Sequence, residues 1–105
     1  MNFKALGENL GLEEDEYREL IELFVDTGTD DYQRMRAALA AADFDQMSRI
    51  AHTIKGAAGN LGLSDIQGVA GALERGAEAQ NPDGMAEALQ TLAEQFKAMA
   101  ACIRD

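Results

Sequence analysis

Ala51-His52-Thr53-Ile54-Lys55-Gly56-Ala57-Ala58-Gly59-Asn60-Leu61-Gly62-Leu63 holds the only histidine of the 105-residue chain. Set at about 100° per residue, the apolar positions Met47, Ile50, Ile54 and Leu61 fall within roughly an 80° arc, joined by Ala57 and Ala58, so the segment reads as an amphipathic helix. His52 lies nearly opposite that arc and is expected to face water. Its neighbours on the same face are Ser48 and Arg49 a turn before, Lys55 and Gly56 a turn after, and Gly59 two turns after. Glycine inside a helix costs about 1 kcal/mol relative to alanine, so two glycines flanking one exposed imidazole need a cause. One cause is access: without side chains at Gly56 and Gly59, a bulky group on the imidazole or a partner's active site can approach the backbone. Lys55 adds a mobile point charge suited to an anion such as phosphate. The other cause is a close helix contact at the glycines, with His52 and Lys55 as ordinary solvated side chains. These residues alone leave both readings open.

The run His52-x-x-Lys55-Gly56-x-x-x-x-Leu61-Gly62 resembles the signature of histidine-containing phosphotransfer (HPt) domains of bacterial and fungal phosphorelays. It fixes five positions within eleven, far more than any lone histidine, and the chain's length also suits the family. The resemblance implies a phosphoryl carrier that accepts the group on His52 from a receiver-domain aspartyl phosphate and passes it to another receiver domain. It implies that Lys55 offsets phosphoryl charge, that Gly56 and Gly59 give the receiver access, and that Glu74, 22 residues after His52, contacts the histidine. Such a contact would let Glu74 accept a hydrogen bond from Nδ1–H and leave Nε2 as the nucleophile. Gln67, Arg75 and Glu78 are possible rim residues, unranked by the sequence. The implied partners are response-regulator receiver domains and a sensor or hybrid histidine kinase, with Mg²⁺ held by the receiver and no cofactor in this chain.

Composition narrows the field independently. One hundred and five residues suit one domain over residues 1–105, and Ala-, Leu- and Met-rich apolar content with one proline predicts an all-α fold. A net charge of -10 argues against nucleic acid, whose phosphates demand a basic face. From Met1 to Gln46 twelve acids face four bases, and thereafter seven face five, so His52 sits in the less negative half. A single cysteine, Cys102, excludes an internal disulfide, and one His with one Cys is too few for an ordinary structural zinc site. Cys102 is expected as a small buried residue. No apolar run approaches a membrane span and the N-terminus lacks a secretory signal's apolar core, so a soluble, cytoplasmic monomer is expected.

Along the chain, residues 1 to 12 suit a short N-terminal helix or arm carrying Phe3, Leu6, Leu10 and Leu12. An acidic turn, Glu13 to Glu16, opens the next helix. Tyr17, Leu20, Ile21, Phe24 and Val25 form its buried stripe, which resumes at Met35, Leu39 and Ala42. Thr27 to Asp31 interrupt the stripe and admit either a helix end with a fresh cap at Thr29 or Asp30, or one long helix in which Gly28 serves a close crossing; the resemblance favours the long helix. Asp43 with Gln46 reads as a cap for the His52 helix, and Gly62 as its end. Ser64 with Gln67 reads as a capping box for a third helix with Ile66, Val69, Ala70, Leu73 and Ala77 inward. Pro82 reads as the first residue of a last helix whose seam is Met85, Leu89, Leu92, Phe96, Met99 and Ile103. Four amphipathic helices on short turns give an antiparallel four-helix bundle.

Three rivals to the relay carrier follow from the same residues. The phosphotransfer domain of a chemotaxis-type histidine kinase would load His52 from a separate ATP-binding domain. A non-catalytic helical adaptor would leave His52 incidental. An enzyme of the hydrolase or metal-dependent kind is poorly supported, because nothing pairs a nucleophile with a base and an orienting acid. Without a Gly-x-x-x-x-Gly-Lys loop or an acid pocket, no autonomous kinase activity is expected.

Overall fold

Residues 1–104, which the computed structural model describes, form five helices. Helix α1 spans Phe3–Asn9, α2 Glu14–Ala40, α3 Phe44–Asn60, α4 Ser64–Glu78 and α5 Met85–Arg104. Helices α2 to α5 make a ring: α2 touches α3, α3 touches α4, α4 touches α5, and α5 closes on α2, while α1 packs on α2. Short turns make successive helices antiparallel, so the architecture is an antiparallel four-helix bundle with a short N-terminal helix. Tyr17, Ile21, Met35, Met47, Leu73 and Leu92 are its most deeply buried large side chains. Each contributes roughly 1.5–3 kcal/mol through removal from water.

Helix α2 runs unbroken through Thr27 to Asp31. The Thr27 and Thr29 hydroxyls donate to the carbonyls of Leu23 and Val25 one turn back, so they are satisfied within the helix. Gly28 is buried against α5, where a methyl on its backbone would stand 2.5 Å from Phe96 Cζ. Phe96 also packs on Phe24 with ring centroids 5.6 Å apart and planes tilted by 59°. Its fit beneath α2 therefore requires Gly28. Leu20, placed on the buried stripe by its spacing, is instead 40% exposed. Leu10 and Ala42 are exposed too, and Cys102 is half-buried against the core rather than sealed in it.

The first three turns share one design. Leu12, Asp43 and Leu63 each return an N–H to the carbonyl five residues back, at Gly7, Ala38 and Ala58, through a residue of positive φ at Gly11, Ala42 and Gly62. In the α2–α3 turn Asp43 then caps α3 by accepting from the Gln46 N–H at 3.1 Å. The α3–α4 turn is equally short, so Leu63 already stands at the N-cap, its carbonyl accepting from Gln67 N–H. Ser64 is thereby the first helical residue and the expected Ser64–Gln67 capping box does not form. Pro82 likewise falls outside its helix. Gln80 and Gly84 both take positive φ, Asn81 Oδ1 accepts from Asp83 N–H, and α5 begins only at Met85.

Tyr17 ties the start of α2 to the end of α3. Its ring is fully buried and its hydroxyl donates to the Leu61 carbonyl at 2.6 Å, satisfying a helix-end acceptor. Burial raises the Tyr17 pKa, which keeps the hydroxyl a donor. No described helix is long and apolar enough to cross a membrane.

Candidate functional site

Helix α3 is anchored by Met47, Ile50, Ala51, Ile54 and Ala58, all buried, and this leaves His52 on the outer side with its side chain 68% exposed. On α4 the core positions Ala70, Leu73 and Ala77 turn the adjacent Glu74 toward α3. The Glu74 side chain is only 11% exposed, and Glu74 is the one buried charged residue among those described. Its Oε2 lies 2.6 Å from His52 Nδ1, and its Oε1 accepts from Lys55 Nζ at 2.5 Å. One carboxylate from α4 thus spans two residues one turn apart on α3. Sequence spacing left Glu74 off the buried stripe, and the helix pairing encloses it.

The charge state follows from these contacts. Lys55 lowers the Glu74 pKa most, burial opposes that, and the bond to His52 lowers it further, so the carboxyl is held below its ordinary 4.5. An ionised carboxylate only accepts hydrogen bonds. Nδ1 must therefore carry a proton, and in the neutral ring the lone pair is then on Nε2. Among the described residues no group of three or more His, Cys, Asp or Glu stands close enough to hold a metal ion.

The two glycines of the opening stretch differ. A Cβ at Gly56 would meet nothing within 4 Å, so the surface beside His52 is open there. At Gly59 a Cβ would stand 2.7 Å from Gln67 Nε2, so the space expected for access is taken by the Gln67 amide. Gly59 makes a close approach to the end of a flexible side chain and gives no opening. Gly71, not singled out in the sequence, is buried one turn before Glu74; a Cβ there would make ordinary contact with the Lys55 stem at 3.5 Å from Cδ and a tighter one with Arg75 Nη1 at 3.3 Å. The Lys55 stem thus packs beside α4 on the way to Glu74. The available signal for Gly71 was its position three residues before Glu74 on one helix face. Of the rim residues, Gln67 thus meets Gly59 and Arg75 folds back over Gly71.

Comparison with known proteins gives the family and the fold. The family model described as "Hpt domain" matches residues 19–101. The fold is similar to that in the crystal structure of histidine-containing phosphotransfer protein B (HptB) from Pseudomonas aeruginosa PAO1. The TM-score is 0.84 at 23% sequence identity, covering 99% of this chain and 90% of that one. No curated protein matches the chain.

Proposed function

Since the chain belongs to the Hpt domain family, we propose that it carries a phosphoryl group between receiver domains on Nε2 of His52. The observation that supports this most is the 2.6 Å contact from Nδ1 to Glu74 beneath a largely exposed ring. The Nε2 lone pair attacks the phosphorus of a receiver's aspartyl phosphate. The bond from phosphorus to the aspartate oxygen breaks, that carboxylate leaves with the electron pair, and a nitrogen–phosphorus bond forms. Nδ1 keeps its proton, so the ring gains positive charge, which the Glu74 carboxylate opposes from a fixed position. Delivery to a second receiver reverses these steps.

Lys55 holds Glu74 ionised and brings a cation near the arriving phosphoryl oxygens, while the bare backbone at Gly56 admits the receiver's active-site rim. The receiver supplies Mg²⁺ and the acidic groups that bind it. This chain is proposed as a passive carrier, a cytoplasmic monomer without kinase activity of its own. Incubation with a phosphorylated receiver should place an acid-labile, base-stable label on the wild type and none on His52→Gln. Equal labelling of His52→Gln would refute the reading. Loading only from an ATP-charged kinase domain, and never from a receiver, would favour the chemotaxis-kinase role instead.

A further inference from the structure

Lys55 and Arg49 flank His52 symmetrically on α3. At about 100° per residue, Lys55, three residues on, lies roughly 60° to one side of the histidine, and Arg49, three residues back, lies roughly 60° to the other. The Lys55 side faces α4, since Glu74 binds both Lys55 Nζ and His52 Nδ1. Nε2 is on the opposite edge of the imidazole from Nδ1. It is therefore turned away from α4, toward the side that holds Arg49 and the open backbone of Gly56. Residues three apart on a helix are surface neighbours, so the Arg49 side chain is within reach of a group carried on Nε2.

The basic side chains near the ring differ in how their charge is engaged. Lys55 is bound to Glu74 at 2.5 Å, and moving it to Nε2 would leave a carboxylate side chain only 11% exposed without its cation, a costly state. Arg75 is on the α4 side, its guanidinium folded back over Gly71. Arg49 is exposed and has no ion-pair partner among the described residues; Asp45, one turn before it, is not paired with it. A phosphoryl group on a side chain brings up to about two negative charges at neutral pH, and the Lys55–Glu74 pair offers it no net positive charge. Arg49 breaks no ion pair by turning to meet it, and a planar guanidinium matches two phosphoryl oxygens at once.

We infer that Arg49 holds the phosphoryl group on Nε2, donating to its oxygens while Lys55 stays with Glu74. The inference rests on the phosphocarrier reading above. Its test needs no partner protein: phosphoramidate, a small donor, loads His52 of the wild type, Arg49→Gln, Arg49→Lys and Lys55→Gln. ³¹P NMR then follows the pH at which the bound phosphoryl group takes up a proton. A guanidinium on the oxygens favours the dianion, so Arg49→Gln should raise that midpoint by about one pH unit. Arg49→Lys, which keeps the charge and loses the fork, should fall between Arg49→Gln and the wild type. Lys55→Gln should raise the midpoint less than Arg49→Gln does. Arg49 is exposed and glutamine is a good helix former, so the thermal melt of Arg49→Gln should match the wild type. An unchanged midpoint in Arg49→Gln would overturn the inference and leave the carrier reading standing. So would an equal or larger rise in Lys55→Gln, which would give the phosphoryl group to the lysine. A wild type that phosphoramidate does not label on His52 would remove the carrier reading and the inference with it.

Discussion

Gly28 and Gly56 are the same residue in the interiors of neighbouring helices, and they serve opposite ends. At Gly28 the missing side chain is replaced by Phe96, which drives its ring into α2 and joins α2 to α5. At Gly56 nothing replaces it, and the gap lies beside an exposed imidazole. The first glycine is space within the core seam, filled by a neighbour; the second is space left open beside the histidine. A helical glycine thus acquires meaning only from what stands opposite it.

Alanine at each position separates the two cases by sign. Gly28→Ala should destabilise the domain by about 1–3 kcal/mol, because the ring must move or the helices part. Gly56→Ala should stabilise it by about 0.5–1 kcal/mol, the ordinary helix preference for alanine. Urea denaturation of both variants checks this, and a loss at Gly56 would mean the gap is occupied. Gly56→Leu should then keep the fold and slow transfer from a receiver about tenfold or more by holding the donor away from Nε2.

The charged cluster beside Gly56 should show itself through pH. Glu74 has a lowered pKa in the folded chain, so its bonds to Lys55 and His52 contribute stability in full above the ordinary value of 4.5 and lose it as pH falls through the lowered one. The stability gap between the wild type and Glu74→Gln should therefore narrow on acidification below 4.5. A gap independent of pH would mean the folded carboxyl is not charged. Ala42 supplies the smallest and complementary effect, a position where glycine is favoured and absent. With φ at 53° it occupies the left-handed region, so Ala42→Gly should stabilise by about 0.5–1 kcal/mol, read as a raised melting temperature.

What the sequence made legible was local. Asp43 and Gly62 announced a helix start and a helix end through chemistry within a few residues of each, and the His52-to-Gly62 spacing carried the family resemblance. The partner of Gly28 could not be read, because Phe96 is 68 positions away in the chain and only the α2–α5 pairing brings it there. Gly59 was misjudged for a similar reason: its neighbour Gln67 comes from α4, and the turn between them is tighter than the Ser64–Gln67 pattern implies. Leu20 has the spacing of a core residue but sits at the edge of the buried arc, where neighbouring helix placement decides exposure. The burial of Glu74 also depends on the α3–α4 pairing, since on α4 alone it would be a solvated acid.

The central claim is that Glu74 fixes the Nδ1 proton and leaves Nε2 to bear phosphorus. ¹⁵N NMR of histidine-labelled protein, before and after loading with phosphoramidate, tests it most directly. The expected spectra show Nδ1 protonated at neutral pH in the free protein and phosphorus coupled to Nε2 after loading. Phosphorus on Nδ1, or a free ring protonated at Nε2, would contradict the account.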